Sequence, residues 1–389
     1  MSYNKGVEVI YLDNNATTKP DPKVVEAMVT VLTEFYGNPS SVHRFGQRAR
    51  HAVDQARAQV AGLIGCAEAE LLFTGGGTEA VNTAIRGLFA GRTPRKRIVT
   101  TSVEHSATRQ LCQEMGKHGA EIVEVGVDNL GRIDLDAWKN AVNQETALAT
   151  AMWANNETGV IFPVAAMAEI CKARGVPFHC DGTQAVGKLP VDVKAAGIDA
   201  MSLAAHKFHG PKGAGALFAR RGLRIAPLII GGPHERSRRG GTENVPGIVG
   251  MGKAAELAAA ELPSMARVAA LRDRLENGVL QSIAETSVNG DVQNRLPNTT
   301  NISFARLEAE AILLLLSERG VCASAGAACA SGSLEPSHVL RAMKIPDVVA
   351  HGAVRFSLSR FTTEQEIEAA LGILPQVSER LRNVLPVGR

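Results

Sequence analysis

Short apolar runs alternate with amphipathic stretches through the first two thirds of the chain. The runs are rich in Val, Ile, Ala and Thr, which is typical of strands buried on both faces. Seven strands are predicted in this way, at Leu71–Thr74, Arg97–Thr101, Glu121–Val127, Ala147–Trp153, Pro177–Cys180, Ala200–Leu203 and Gly215–Ala219. The helical segments between them are Glu79–Phe89, Ser106–Gly116, Leu135–Val142 and Val164–Arg174. This alternation predicts an α/β fold with a mostly parallel sheet between helices.

The pattern changes from about Gly247 onward. A long helical stretch, Met251–Leu280, is interrupted at Pro263, where a break or kink is expected. It is followed by an extended segment, three helices and a strand, predicted in chain order at Asn298–Phe304, Glu308–Arg319, Pro336–Met343, Ala353–Ser357 and Thr363–Val384. We therefore predict two domains. Residues 16–260 form a large domain, and residues 1–15 and 261–389 form a small α+β domain.

Composition narrows the classes of partner. The chain has 389 residues with a formal net charge of +3, so charge gives no reason to expect binding to nucleic acid or an anionic membrane. No apolar run is long enough to span a bilayer, and the first residues lack the apolar core of a signal peptide, which favours the cytoplasm. The six scattered cysteines do not resemble a disulfide framework.

A lysine ends the strand-like part of Ser202-Leu-Ala-Ala-His206-Lys207-Phe-His-Gly-Pro-Lys-Gly213. Partial burial at such a strand end disfavours the ammonium form, so the amine becomes a nucleophile for a carbonyl. This is what a lysine needs in order to carry pyridoxal phosphate as a Schiff base. Taken alone, a structural or solvated lysine is the commoner explanation, so the assignment depends on the other motifs.

A glycine turn follows the first predicted strand, in Leu71-Leu-Phe-Thr-Gly-Gly-Gly-Thr78. Backbone amides at the start of the next helix form an anion site, to which Thr78 adds a hydroxyl. Gly75, Gly77 and Ala80 also fit the loose pattern of dinucleotide-binding proteins, with Glu104 as a candidate for the ribose contact. A nicotinamide-dependent dehydrogenase and a simple tight turn are therefore the alternatives at this motif.

Polar side chains follow three further strands. His105 could stack on an aromatic ring and move protons, and Asn155 and Asn156 suit recognition of a ring oxygen or carboxylate. Asp181 ends a buried strand, where a carboxylate can pair with a pyridinium nitrogen, and Gln184 could donate to the phenolic oxygen of the ring. A loop histidine, turn asparagines and a helix-capping aspartate are the structural alternatives. Together with Lys207, these strand ends supply each part of a pyridoxal phosphate site, whereas the dehydrogenase hypothesis explains only the glycines.

With these motifs, the sequence resembles the pyridoxal phosphate-dependent cysteine desulfurases of the aminotransferase class V superfamily. The resemblance runs from Tyr11-Leu-Asp-Asn-Asn-Ala-Thr-Thr18 to Arg355-Phe-Ser-Leu-Ser-Arg360. Trp153-Ala-Asn-Asn-Glu-Thr-Gly159 and Ser331-Gly-Ser-Leu-Glu-Pro-Ser-His338 are most similar to the nitrogen-fixation-associated branch. The resemblance implies the fold of type I pyridoxal phosphate transferases, with residues 16–260 binding the cofactor.

The resemblance also implies a role for each motif. Lys207 is the Schiff-base lysine and Asp181 the partner of the pyridine nitrogen, while His105 stacks on the ring and assists proton transfer. The other implied contacts are Asn156 and Gln184 at the phenolic oxygen, Gly77, Thr78 and His206 at the phosphate, Thr242 reaching the phosphate across a homodimer interface, and Arg355 with Asn156 at the substrate. Asn38 and Arg360 are weaker candidates. Ala204 departs from the family, since many relatives have a hydroxyl or thiol there, and we expect weaker cofactor retention.

Cys329 decides among the reactions that such a site could perform. Its surroundings, Cys322-Ala-Ser-Ala-Gly-Ala-Ala-Cys329-Ala-Ser-Gly-Ser333, are small residues that favour a mobile loop, although a buried thiol in a tight turn is the structural alternative. The resemblance implies that Cys329 takes sulfur from L-cysteine as a persulfide, that L-alanine is released, and that the sulfur passes to an iron–sulfur scaffold protein, with nitrogenase maturation as one expected destination. An iron–sulfur species held by Cys329 is a further expectation. A selenocysteine lyase and a non-catalytic sulfur carrier remain alternatives.

Overall fold

The computed structural model describes residues 9–91, 94–325 and 336–384. Its largest sheet has seven strands, in the positions that the apolar runs predict to within two residues at either end. They are β2 (Leu71–Thr74), β3 (Arg97–Thr101), β4 (Glu121–Val125), β5 (Thr146–Met152), β6 (Phe178–Asp181), β7 (Ala200–Ala204) and β8 (Gly215–Ala219), numbered after the short β1 (Ile10–Tyr11).

The sheet is mostly parallel, as predicted. Its strand order is β2-β8-β7-β6-β5-β3-β4, and β8 is antiparallel to both of its neighbours. The other strands of this sheet share one direction, so their carboxyl ends meet at one edge. This order differs from the 3-2-1-4-5-6 arrangement of dinucleotide-binding folds, which removes support from the dehydrogenase hypothesis.

Helices cover both faces of the sheet. Four of them lie where the periodicity predicts, whereas α1 and α2 were not predicted. In chain order the helices are α1 (Pro22–Glu34), α2 (Arg44–Ile64), α3 (Gly77–Ala90), α4 (Ser106–Lys117), α5 (Leu135–Ala141), α6 (Val164–Ala173), the short turn α7 (His234–Ser237) and α8 (Val245–Glu261). The fully buried strands β5 and β7 lie between these layers, as expected of a parallel sheet.

The remaining elements form a separate α+β layer. Strands β9 (Thr286–Val288), β10 (Thr299–Phe304) and β12 (Ala353–Ser357) form an antiparallel sheet, and β1 pairs with β11 (Val321–Cys322). The helices of this region are α9 (Met265–Ser282), α10 (Ala309–Glu318), α11 (His338–Ala342), α12 (Asp347–Ala350) and α13 (Glu364–Val384). Of these, α11 and α12 place apolar residues in the core of the large sheet. Ile10 and Leu12 belong to the same apolar cluster as α9, β10 and β12. Ile10 and Leu12 therefore pack with the elements of the predicted small domain, and the division into two domains stays a prediction.

The break expected in the long helix is confirmed, whereas another helix begins two residues later than predicted. The long helix after Gly247 is divided by a 3-10 turn, Leu262–Ser264, because Pro263 cannot donate the hydrogen bond that would continue the preceding helix. The helix expected to begin at Pro336 begins at His338, since the Ser337 hydroxyl accepts from the Val339 amide and caps it. None of the helices in the described ranges is long and apolar enough to cross a membrane.

Candidate functional site

A cavity of about 260 Å³ lies at the carboxyl edge of the large sheet. Its walls come from the turns after β2, β3, β5, β6 and β7, which is where an open α/β sheet places its ligand. Eight predicted site residues line it together: Gly77, Thr78, His105, Asn156, Asp181, Gln184, His206 and Lys207. The structure therefore brings together residues that are spread over 131 positions, from Gly77 to Lys207, counting both ends.

One end of the cavity is the start of helix α3. Gly76, the residue before this helix, has a φ of 155°, which a residue with a side chain rarely adopts. A Cβ on Gly215 of β8 would lie 2.6 Å from the Gly76 carbonyl carbon, so the adjacent strand also needs a glycine. The backbone amides of α3 and the exposed Thr78 side chain thus form an end suited to an anion such as phosphate.

His105 lies on the cavity wall and also caps helix α4. Its Nδ1 accepts a hydrogen bond from the Ala107 amide at 3.1 Å, so the hydrogen of the neutral ring is on Nε2. Burial lowers the pKa of His105, the nearby Asp181 carboxylate opposes this, and Lys207 adds to it. The resting imidazole is therefore neutral at physiological pH and presents an N–H donor.

Asp181 ends strand β6 with its carboxylate on the cavity. One oxygen accepts from the Thr183 amide at 3.0 Å, so the residue caps a tight turn rather than a helix.

The two adjacent asparagines after β5 have different roles. The Asn155 side chain accepts from the Glu157 and Thr158 amides and forms the turn, whereas Asn156 lines the cavity.

Lys207 lies in a 3-10 turn directly after β7, half-buried as its sequence predicts. Its Nζ donates to the carbonyl oxygens of Asn15 at 2.6 Å and Ala16 at 2.9 Å. The Asn15 carbonyl also accepts from Gln184 Nε2 at 3.0 Å. Residues near the N-terminus therefore hold the amine at the cavity, and Gln184 is oriented by the same carbonyl.

His206 and Ala204 complete the wall near Gly77. Burial, together with Lys207, lowers the pKa of His206 to about 4, so its ring is neutral. Its Nδ1 lies 3.2 Å from the Thr17 hydroxyl. Ala204 lines the cavity, and its Cβ would lie 3.3 Å from a Cβ on Gly77. Ala204, which has no hydroxyl, therefore faces the end of the cavity that is suited to an anion.

Arg355 lies on β12, beside the cavity but not in its lining. Its Nη2 is 2.6 Å from Asp13 Oδ1, and its Nη1 donates to the Asn156 carbonyl at 2.9 Å. The guanidinium is buried and contacts the backbone of a residue that does line the cavity. A substrate carboxylate would share this arginine with Asp13.

Several predicted residues lie elsewhere. Thr242 and Asn38 are exposed and do not line the cavity in this chain, and Arg360 pairs with Asp21. Cys329 lies outside the described residues. Within the ranges that are described, no group of three or more His, Cys, Asp or Glu side chains could hold a metal ion.

Glu104 is not the ribose contact that the dehydrogenase alternative required. The side chain is fully buried beneath the sheet edge, where Oε1 accepts from the Thr101 hydroxyl at 2.7 Å and the Met152 amide at 2.9 Å. The sequence analysis does not single out three residues that support the site, namely Asn15, Asp13 and Lys188. Contacts made by backbone carbonyls, or between residues far apart in the chain, leave no local sequence pattern. The motif at Tyr11–Thr18 contains Asp13 and Asn15, whereas no motif pointed to Lys188.

The cavity meets the chemical requirements of pyridoxal phosphate. It has an anion-binding helix start at one end, a carboxylate at a strand end, a flat imidazole on one wall and an amine held by two carbonyls. With the seven-stranded, mostly parallel sheet, these features define the class of type I pyridoxal phosphate enzymes.

Comparison with known proteins identifies the family. The aminotransferase class V profile matches residues 10–370, so the chain belongs to this family, and its cofactor is pyridoxal phosphate. Cysteine desulfurase 2 of Trichormus variabilis is 52% identical over 380 residues, covering 98% of this chain and 96% of the relative. The cysteine desulfurase of Enterobacter agglomerans is 53% identical, covering 97% and 94%.

Solved structures agree with the fold. A structure described as a NifS-like protein has a TM-score of 0.90 at 35% identity, covering 97% of this chain and 100% of the other. A structure of SspA in complex with cysteine has a TM-score of 0.81 at 32% identity, covering 91% and 99%. The predicted fold class and family are therefore confirmed.

Proposed function

We propose that this protein is a cysteine desulfurase that converts L-cysteine to L-alanine and holds the sulfur as a persulfide on Cys329. The main support for the proposal is that Lys207, Asp181 and His105 line the same cavity. The reaction itself comes from the names of relatives that are more than half identical to the chain.

The cavity residues divide between holding the cofactor and orienting it. Lys207 is the anchoring amine, and Asp181 pairs with the pyridine nitrogen, so that the bound ring can withdraw electrons from the substrate Cα. The remaining cofactor contacts are Asn156 and Gln184 at the phenolic oxygen and Gly77, Thr78 and His206 at the phosphate. In a homodimer, Thr242 of the partner subunit completes the phosphate site.

The substrate residues act at the two ends of L-cysteine. Arg355, together with Asn156, binds the carboxylate, and His105 moves protons at the face of the ring. The thiolate of Cys329 attacks the substrate sulfur, so the Cβ–S bond breaks, an S–S bond forms, and protons return to carbon as L-alanine leaves. One sulfur atom is thereby transferred with no external oxidant.

The cellular role extends this chemistry. The persulfide passes to an iron–sulfur scaffold protein, with nitrogenase maturation as one destination, and Cys329 can hold an iron–sulfur species. The enzyme acts as a cytoplasmic homodimer. The similarity of two sequence motifs to the nitrogen-fixation-associated branch supports these assignments.

Alanine and sulfide production from L-cysteine tests the proposal. Cys329→Ala should keep the yellow cofactor band and lose sulfide release, whereas Cys322→Ala, a matched control seven positions earlier, should stay active. Full activity in Cys329→Ala would exclude the persulfide role. Rates on selenocysteine measured in parallel separate a desulfurase from a selenocysteine lyase.

The anchoring lysine has its own test. Sodium borohydride should fix the cofactor covalently to the wild type and to Lys212→Ala, an exposed lysine five positions away, but not to Lys207→Ala. Covalent labelling that persists in Lys207→Ala would place the anchor on another lysine.

A further inference from the structure

Lys188 is a buried lysine close to the site, four residues after Gln184 on the turn that follows β6. Its Nζ donates to Gln184 Oε1 at 2.5 Å and to Asn15 Oδ1 at 3.1 Å. Neither partner is acidic, and no carboxylate forms an ion pair with Lys188 among the described residues. Burial, followed by the charges of Lys207 and Arg355, lowers its pKa well below the usual value. A buried amine kept without a counter-ion is costly and calls for a role.

Lys188 does not face the cofactor cavity. It lines a separate cavity of about 20 Å³, to which Lys207 also contributes. Lys188 therefore does not touch the reacting atoms from this position, and it acts through the residues that it contacts.

The contact with Gln184 fixes the orientation of an amide. Lys188 donates to Oε1, and the Asn15 carbonyl, which can only accept, holds Nε2 at 3.0 Å. Reversing the amide would place its oxygen against the Asn15 carbonyl oxygen. Two neighbours thus select the orientation in which Gln184 keeps its remaining N–H available for the cavity.

Asn15 links Lys188 to the anchoring lysine. Its carbonyl accepts from Lys207 Nζ at 2.6 Å, while its side-chain oxygen accepts from Lys188 Nζ. Asn15 is itself held by Thr299 Oγ1 at 2.8 Å and by Asn298 Nδ2 at 3.1 Å. The two amines are therefore parts of one buried hydrogen-bond network, and loss of one alters the surroundings of the other.

We propose that Lys188 is a positioning residue that keeps the Gln184 amide turned with its remaining N–H toward the phenolic oxygen of the cofactor. The inference rests on the proposed role of Lys207 as the anchor. A donor at that oxygen favours its anionic form and so lowers the pH at which the lysine-bound cofactor loses its proton.

The test is a pH titration of the visible band of the holoenzyme. Lys188→Met, which keeps the length of the side chain and removes its donors, should move the midpoint upward by about one pH unit, the size of one hydrogen bond to a charged group. The same substitution in a Gln184→Ala background should add no further shift, because the amide that Lys188 orients is absent.

The outcomes separate the hypotheses. An unchanged midpoint in Lys188→Met overturns the positioning role, and an equal shift in both backgrounds would overturn it as well, since Lys188 would then act by its charge or through Asn15 rather than through Gln184. Where Lys188→Met does not fold, Lys188→Gln, which is shorter and no longer reaches both partners, is titrated by the same criterion. Failure of the wild type itself to form a borohydride-reducible adduct would instead overturn the role of Lys207.

Discussion

Glu104→Gln should stabilise the protein, and increasingly so as pH rises. Glu104 is fully buried, and its Oε2 has no hydrogen-bond partner among the described residues. Burial, with a smaller contribution from Asp181, raises the pKa of Glu104 to about 8, against the hydrogen bonds from Thr101 and Met152 that lower it. The folded protein therefore keeps the proton on this carboxyl at neutral pH, while the unfolded chain releases it.

Proton linkage gives the direction in which the free energy of unfolding changes with pH. Since the folded pKa is raised above the unfolded value of 4.5, the folded state binds more protons between these two values, and stability falls as pH rises through that range. The slope is about 1.4 kcal/mol per pH unit, which amounts to about 3 kcal/mol at pH 7. Glutamine has the same shape and can accept the same two hydrogen bonds, but it does not ionise.

Urea unfolding from pH 5 to 9, with saturating cofactor, measures the difference in unfolding free energy between the two proteins. Other groups titrate equally in both, so the difference isolates Glu104. It should be small near pH 5, grow until about pH 8 and then level off. Glu124→Gln, at an exposed glutamate of β4, should show a flat difference. A flat difference for Glu104→Gln, or one that shrinks with pH, would mean that the folded protein does not hold the proton on Glu104 more tightly than the unfolded chain does.

Three further predictions concern cofactor retention, a buried ion pair and the histidine cap. Ala204→Ser restores a hydroxyl at the anion end, and cofactor release measured by dialysis should slow by about tenfold, the size of one charge-assisted hydrogen bond. Arg57→Met leaves the Glu235 carboxylate buried without its bidentate partner, and urea unfolding should show a loss of about 3–5 kcal/mol, against less than about 1 kcal/mol for Arg48→Met at a surface pair. His105→Ala should lose both activity and about 1 kcal/mol from the uncapped helix, whereas His105→Asn should recover the stability alone.

The sequence predicts the large sheet well because fully buried parallel strands leave unmistakable apolar runs. The same pattern places His105, Asp181 and Lys207 at one edge, since each lies at the end of a strand or within four residues after it. It does not predict Asn15, which holds Lys207 through a backbone carbonyl 192 positions away, because any residue can supply a carbonyl. Nor does it predict the ion pair between Asp13 and Arg355, which depends on how β12 lies against the N-terminal segment.

Burial gives the site a consistent electrostatic character. It lowers the pKa of His105, of His206 and of Lys188, and it raises the pKa of Glu104, so these four groups are driven toward their neutral forms. Of these groups, only His105 and His206 line the cavity, and between such neutral side chains the charges of a bound phosphate and pyridinium would act on Asp181 and on the helix start more strongly than in water. Removing solvent from these groups is unfavourable for folding, and binding of the cofactor offsets that cost. The apo protein should therefore be less stable than the holoenzyme, because cavity groups that folding removes from water gain new partners when the cofactor binds.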